Sequence, residues 1–134
     1  MAYVAGALQE SGFKVQFIDA VGESLDTRHL VDYDCYLYGL SHAQTVAKIC
    51  DDTEIIGVGF GFSFEWPTCR DLVASIRERF PNALLIGGGE HVTAVPEQTM
   101  KESALDIGVL GEGEETILEI ATAYQRGDLD LNKI

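Results

Sequence analysis

The sequence predicts an α/β domain with a doubly wound, flavodoxin-like or Rossmann-like parallel sheet and helices on both faces. Three observations predict it. Short apolar segments alternate with amphipathic segments along the chain. The apolar segments are continuous, as in strands covered on both faces, and parallel strands need crossover connections, which are usually helical. The length of 134 residues corresponds to a single domain, 1–134.

The first part of the chain contains two predicted helices and one predicted strand. Ala2–Gln9 has apolar residues at helical spacing and is followed by Gly12, a residue that often ends helices. Val15–Ile18 is predicted to be a short strand. Ser41–Cys50 is predicted to be a helix, because a glutamine follows the serine at the spacing of a capping box.

The middle of the chain contains the most apolar strands. Ile55–Phe60 is predicted to be a strand that is apolar on both faces. Pro67 stands where the first turn of a helix tolerates proline, and an apolar stripe at helical spacing then continues to Phe80. Ala83–Ile86 is predicted to be the next strand.

The last part of the chain completes the alternation. Pro96 begins a short predicted helix that extends to Glu102. Ile107–Leu110 is predicted to be a strand, and Glu114–Gln125 a final amphipathic helix. Folds of this class usually begin with a strand, whereas this chain begins with a helix. We therefore expect a first strand before Met1 in the natural protein.

Composition and charge exclude several functions. The net charge is −13, which would repel phosphate backbones and anionic lipid, so we expect no nucleic-acid partner and no membrane partner. No apolar run approaches the ~18–20 residues that cross a bilayer, and no signal peptide is visible. Cys35, Cys50 and Cys69 match neither a disulfide framework nor a CxxC-type metal site, which predicts reduced thiols and a cytoplasmic protein.

Glycine is concentrated around the last three predicted strands. Nine of the 14 glycines lie between positions 57 and 113, in these strands or in the loops after them. Ligands of open α/β sheets bind at the carboxyl ends of the strands, and glycine lets the backbone approach a ligand closely. Tight turns between strands and helices also need glycine. Three such loops together nevertheless predict one broad ligand shelf lined by backbone groups.

The loop sequences restrict the ligand. GFGFSF from Gly59 and GEGEET from Gly111 match neither a dinucleotide fingerprint nor a P-loop, and no lysine or arginine stands in the three loops. A large neutral or polyamide ligand therefore fits better than a polyanion. His91 is either a ligand contact or a locally hydrogen-bonded histidine, Trp66 is expected to pack, and His42 is expected to be exposed. The sequence predicts no catalytic residue and no metal-ligating residue.

The segment IGGGEHVTAVPEQTMKESALDIGVLGEGEETILEI, from Ile86 to Ile120, resembles a known signature. It is similar to that of the cobalamin (vitamin B12)-binding domains that stand in front of radical S-adenosylmethionine enzymes. The upstream segments AYVAGALQESGFKVQFIDA and Phe62-Ser63 are similar to the same family. The matching positions of the signature are Gly88, Gly89, His91, Thr93, Pro96, Glu97, Asp106, Gly111, Glu112, Gly113, Glu114 and Thr116.

The resemblance implies a function and a set of contacts. It implies that cobalamin binds base-off and without a histidine ligand, because the chain lacks the DxHxxG motif whose histidine coordinates cobalt in related domains. No metal-ligating residue of the chain is implied. The implied cofactor-binding residues are Gly61, Ser63, Gly88, Gly89, His91, Thr93, Gly111, Glu112 and Gly113.

The resemblance also implies a longer parent enzyme. The CxxxCxxC motif of the radical enzyme is absent, so this chain alone is not expected to be an enzyme. The implied parent is a methyltransferase or an oxidative cyclase related to the anaerobic magnesium-protoporphyrin IX monomethyl ester cyclase. Its 4Fe-4S cluster and S-adenosylmethionine would bind outside this chain, in a downstream radical domain that would be the partner of this domain.

Two other functions stay open. The same fold could serve as a scaffold or interaction module that no longer binds a cofactor. A flavin binder or a phosphorylated receiver domain is disfavoured, because no lysine follows the last predicted strand and no phosphate loop rich in Ser or Thr is visible.

Overall fold

The computed structural model describes residues 2–31 and 36–130. The helices are α1 (Ala2–Glu10), α2 (His42–Lys48), α3 (Trp66–Arg79), α4 (Glu90–Ala94), α5 (Pro96–Glu102) and α6 (Glu114–Arg126). The strands are β1 (Arg28–Leu30), β2 (Tyr36–Tyr38), β3 (Ile55–Gly59), β4 (Leu84–Gly88) and β5 (Ile107–Val109). Single 3₁₀ turns occupy Gly22–Ser24 and Ser63–Glu65.

The central sheet is parallel, in the order β3-β4-β5. The register pairs Ile55 with Leu84 and Ile86 with Ile107. Strands β1 and β2 form a separate antiparallel pair. Helices cover both faces of the central sheet, which confirms the predicted fold class.

The two faces of the sheet have separate cores. The larger core joins β3 and β4 to α2, α3 and α4, and Val73, Leu85 and Val92 have no exposed surface at its centre. The smaller core joins Ile86 and Val109 to α6. Helix α1 contacts α6 and contributes no fully buried residue. Strand β4, in the middle of the sheet, is the most deeply buried of the three, and the carboxyl ends of all three parallel strands emerge at one edge.

The signals predicted at the starts of α2 and α3 act there, and a glycine that was not predicted ends α6. The Ser41 hydroxyl accepts a hydrogen bond from the backbone N–H of Gln44 at 3.3 Å, and the Gln44 side chain accepts one from the Ser41 N–H at 2.9 Å. Pro67 lies in the first turn of α3. Gly127 ends α6 in the left-handed region, at φ 72°.

The prediction of a strand at Val15–Ile18 is wrong. The segment has no strand partner in the described part of the chain, and a strand forms only when its backbone groups pair with a neighbour. It is held instead by Gln16, whose side chain donates to the Lys48 carbonyl at 2.7 Å and accepts from the Cys50 N–H at 3.1 Å. The strand expected before Met1 stays a prediction.

Three elements, the strands β1 and β2 and the helix α4, were not predicted. The β1–β2 pair lies in a stretch with little hydrophobic pattern, and only the middle residue of each strand is half-buried, whereas the others are exposed. Helix α4 directly follows three glycines, which are poor helix formers. Its five residues are too few for helical periodicity to be visible in the sequence.

The described cysteines are free. Cys50 is exposed and Cys69 is half-buried, and Cys35 lies outside the described residues. Burial raises the pKa of the Cys69 thiol to about 11, and the carboxylate of Glu65 adds to the increase. None of the described helices has the length and hydropathy to span a membrane.

Candidate functional site

The candidate site is formed by the three loops at the carboxyl ends of the parallel strands. We call these loops, residues 60–65 after β3, 89–93 after β4 and 110–113 after β5, the loop shelf. All three continue directly into helices: the first into α3 and the second, which includes the first residues of α4, on one face of the sheet, and the third into α6 on the other face. All nine residues that the sequence analysis assigned to cofactor binding lie on the shelf or, as Gly88 does, directly beside it.

The loops after β3 and β4 are in backbone contact. The Phe60 N–H donates to the Gly88 carbonyl at 2.8 Å, and the His91 N–H donates to the Phe60 carbonyl at 3.4 Å. Gly89 has φ 112°, and a Cβ atom there would lie 2.5 Å from the Phe60 carbonyl oxygen. Only glycine satisfies both conditions. The position thus requires glycine to join the two loops, whether or not a ligand is bound.

The loop after β5 is joined to α4 by a side chain. The Gly111 N–H donates to the Thr93 hydroxyl oxygen at 3.0 Å. Gly111 has φ 67°, a left-handed conformation that glycine adopts without strain. The structure therefore brings together two residues that are 18 positions apart and that the sequence analysis assigned to one site.

Parts of the shelf and of the adjoining sheet are bare backbone. No atom lies within 4 Å of a Cβ position built on Gly111, and Gly61 has only one contact at 4.0 Å. Gly57 is exposed in the middle of β3, and a Cβ there would also meet nothing within 4 Å. By strand alternation, Gly57 lies on the same sheet face as Gly88. A continuous region of accessible backbone therefore runs from the sheet face to the shelf.

His91 is buried beneath the shelf. Its residue is 5% exposed, and its ring stacks on the Trp66 indole with the centroids 4.5 Å apart. The Nδ1 atom lies 3.0 Å from the Ser63 hydroxyl oxygen. The Nε2 atom is buried and has no hydrogen-bond partner. The structure therefore brings together His91 and Ser63, two predicted site residues from different loops.

Trp66 is fixed from behind by α5. The indole N–H donates to a Glu102 carboxylate oxygen at 3.0 Å, and Gln98 donates to the other oxygen at 2.9 Å. These hydrogen bonds hold the pKa of Glu102 below its ordinary value, and the one from Trp66 has the largest effect. The packing role expected for Trp66 is confirmed. The role of Glu102 was missed, because nothing in the local sequence links residues 36 positions apart.

Exposed aromatic side chains border the shelf. Phe62 is 63% exposed and Phe64 is 80% exposed, and their rings stack at 5.7 Å between centroids. Leu110 is also exposed, in the loop after β5. Large apolar side chains at the mouth of a site are suited to a ligand with extended apolar faces. The signal in the sequence is the pair of phenylalanines on either side of Ser63, to which we assigned no role.

The loops of the shelf contain acidic side chains and no lysine or arginine. The acidic residues are Glu65, Glu90 and Glu112. Glu112 is exposed and makes no hydrogen bond or ion pair with the described residues. Among those residues, no cluster of three His, Cys, Asp or Glu side chains could hold a metal ion. The arrangement fits a neutral ligand that carries hydrogen-bonding groups.

The other two histidines lie away from the shelf. His29 on β1 has its Nε2 atom 3.2 Å from the Gly39 carbonyl oxygen. His42 at the start of α2 is half-buried, which corrects the expectation that it is exposed. Desolvation lowers the pKa of His42, although the Asp71 carboxylate opposes this effect.

Comparison with known proteins gives one family. The model of the B12 binding domain matches residues 1–121. The cytidylyl-2-hydroxyethylphosphonate methyltransferase of Streptomyces wedmorensis is 28% identical over 88% of this chain and 23% of its own length. The anaerobic magnesium-protoporphyrin IX monomethyl ester cyclase of Cereibacter sphaeroides is 28% identical over 93% of this chain and 18% of its own length.

A third relative matches a similar share of this chain and of its own length. An uncharacterized methyltransferase of Pyrococcus horikoshii is 30% identical over 95% of this chain and 24% of its own length. The chain thus spans about a fifth to a quarter of the curated relatives it matches. No solved structure shows significant similarity to it.

Proposed function

The chain belongs to the B12 binding domain family, and from this premise we propose that it binds cobalamin on the loop shelf. The observation that carries the proposal is the open backbone at Gly57, Gly61 and Gly111, where no side chain fills the space beside the strands and loops. Cobalamin has peripheral amides that both donate and accept hydrogen bonds. Backbone N–H and C=O groups satisfy such a ligand without a charged partner.

The proposed contacts come from all three loops of the shelf. Backbone groups of the loops hold the corrin amides, the Ser63 hydroxyl and the Thr93 side chain add polar contacts, and Phe62 and Phe64 lie against an apolar face of the ligand. His91 and Glu112 are polar members of the same site. The full set is Gly61, Ser63, Gly88, Gly89, His91, Thr93, Gly111, Glu112 and Gly113.

We also infer that the cofactor binds base-off and without a histidine ligand to cobalt. In support, His91 is buried between Trp66 and Ser63, and His29 and His42 lie on other elements. The bare backbone around Gly57 offers space for the nucleotide tail on the face of the sheet. Bound cobalamin supplies cobalt-centred chemistry such as methyl transfer, and the chain supplies binding and orientation.

For the whole protein we propose an accessory role in a radical S-adenosylmethionine enzyme of the cytoplasm. The named relatives are methyltransferases and a cyclase, and this chain spans only a part of each. The 4Fe-4S cluster, S-adenosylmethionine and the catalytic residues would then belong to a downstream radical domain. That domain is the proposed partner, and the reaction is methyl transfer or oxidative cyclisation.

One observation favours a scaffold role as the second candidate. Strand β3 pairs only with β4 in the described part of the chain, so the sheet beside the bare backbone of Gly57 is open on one side. A domain with an incomplete sheet could keep its fold and lose retention of the cofactor. Binding measurements on the folded chain separate the two candidates.

The test is a visible absorption titration with hydroxocobalamin followed by desalting. We expect the chain to retain a near-stoichiometric amount of corrin with a base-off spectrum. A folded chain that elutes colourless would contradict cobalamin binding and favour the scaffold role. A retained corrin with the spectrum of a histidine-ligated cobalt would contradict only the histidine-free mode.

The site is tested by Gly57→Val. A valine suits the strand conformation and its Cβ atom would meet nothing within 4 Å, so we expect the variant to unfold at the same or a higher denaturant concentration. Its side chain would occupy the space proposed for the ligand, and we expect retention to fall at least about tenfold, equivalent to ~1.4 kcal/mol. Gly6→Ala in α1, also in open space, is the matched control and should retain cobalamin normally. Equal retention by both variants would place the ligand elsewhere.

A further inference from the structure

The His91–Ser63 pair has one hydrogen bond and one unused ring nitrogen. Nδ1 of His91 is 3.0 Å from the Ser63 hydroxyl oxygen, and Nε2 is buried with no partner. The stack on Trp66, which Glu102 fixes through the indole N–H, holds the ring in this orientation. A neutral imidazole carries one N–H, so only two arrangements of its proton are possible.

The two tautomers differ in what they leave unpaired. With the proton on Nε2, a buried N–H would have no acceptor, and orphaned buried N–H groups are rare in proteins. With the proton on Nδ1, the N–H donates to Ser63, and only an acceptor lone pair stays unused at Nε2. The second arrangement therefore has the lower desolvation cost.

We propose that His91 is a positioning residue. Its Nδ1–H donates to the Ser63 oxygen, and the hydroxyl proton of Ser63 therefore points away from His91. Ser63 then presents an O–H donor on the loop shelf, to an acceptor atom of the bound cofactor. This second part rests on the proposed function. The tautomer itself depends only on the buried pair.

The positions of the two residues support this division of roles. Ser63 is exposed on the 3₁₀ turn within the loop after β3, whereas His91 is 5% exposed on α4. Because Ser63 is exposed and His91 is buried, we expect the main polar contribution of His91 to the site to pass through the Ser63 hydroxyl. His91 therefore acts on a ligand through Ser63.

The first experiment measures the tautomer in the ligand-free chain. Long-range ¹H–¹⁵N correlation spectra of the histidine rings distinguish a protonated nitrogen from a bare one, and the rings of His29 and His42 provide internal references. We expect Nδ1 of neutral His91 to be protonated and Nε2 to be bare. Protonation at Nε2 would overturn the proposal, and this measurement needs no substitution.

The second experiment compares two amide replacements. His91→Asn places an amide donor near the Nδ1 position, and His91→Gln extends it towards the Nε2 position. We expect His91→Asn to retain hydroxocobalamin within about threefold of the wild type, a difference below ~0.7 kcal/mol. We expect His91→Gln to lose about tenfold, as Ser63→Ala does, which is the scale of one hydrogen bond. Equal losses in two folded amide variants would overturn the positioning role.

The two proposals fail in different ways. If the wild-type chain does not retain cobalamin, the proposed function fails, and the donor role of Ser63 towards the cofactor fails with it. If cobalamin is retained but His91 carries its proton on Nε2, the proposed function stands and the positioning role fails. Because the tautomer is measured without ligand, neither result depends on the other.

Discussion

At the scale of single residues, the contact between the loops after β3 and β4 depends on a few atoms. Gly89 is required by its own loop, since a Cβ would collide with the Phe60 carbonyl oxygen. Gly111 meets open space but its φ of 67° still favours glycine, whereas Gly61 has neither a positive φ nor a close contact that requires glycine. This contrast separates glycines that the fold needs from glycines whose accessible backbone is available to a ligand.

The two described cysteines should differ in reactivity. Burial and Glu65 raise the pKa of Cys69 to about 11, so its thiol stays protonated at pH 8, whereas Cys50 is exposed. Because the thiolate is the nucleophile, we expect iodoacetamide at pH 8 to modify Cys50 at least about tenfold faster than Cys69. Peptide mapping by mass spectrometry measures the two rates separately. Equal rates in the folded chain would contradict this prediction, and equal rates in urea are the expected control.

At the scale of elements, helix ends and loop connections were predicted better than strand pairing. The capping box at Ser41 and the proline at the start of α3 involve neighbours in sequence, so local signals suffice. The strand assigned to Val15–Ile18 needed a distant partner, which a local pattern cannot supply. The Gln16 contacts with the end of α2 were invisible in the sequence for the same reason.

The capping box gives an element-scale prediction. Ser41→Ala removes the acceptor for the Gln44 N–H, and we expect it to lower the free energy of unfolding by about 1 kcal/mol. Urea unfolding followed by circular dichroism measures the change. Ser75→Ala is the matched control, since Ser75 lies inside α3 and its hydroxyl bonds only to the Asp71 carbonyl, so its removal should cost less. A larger loss in the control than in Ser41→Ala would contradict the prediction.

At the scale of the whole molecule, the sheet has an unpaired edge in the described residues. Strand β3 pairs only with β4, and Val15–Ile18 pairs with no strand among the described residues. Both features agree with the strand that we expect before Met1. An extra parallel strand beside β3 would pair with its backbone groups on the side where no strand lies among the described residues.

This expectation is testable by hydrogen exchange. A chain extended at its N-terminus by the natural sequence should protect the amides of β3 more strongly than residues 1–134 alone do. The amides of β4, which is flanked by strands on both sides, serve as the internal reference and should change less. Unchanged exchange in β3 would contradict a strand at this edge.

The sequence predicted the fold class and the location of the shelf, because both follow from patterns repeated along the chain. Continuous apolar strands indicated the parallel sheet, and the glycines marked the loops at its carboxyl edge. The contacts within the shelf were not predictable. Ser63 with His91, Thr93 with Gly111 and Trp66 with Glu102 join residues at least 18 positions apart, and only the folded chain defines which atoms meet.

The buried indole beneath the shelf has a practical consequence. Trp66 is the only tryptophan in the chain, so the intrinsic fluorescence of the whole protein comes largely from one ring beside the candidate site. A corrin absorbs strongly where tryptophan emits, and energy transfer over such a short distance would quench that emission. Occupancy of the shelf can therefore be followed optically, on the unlabelled protein and at concentrations too low for absorption.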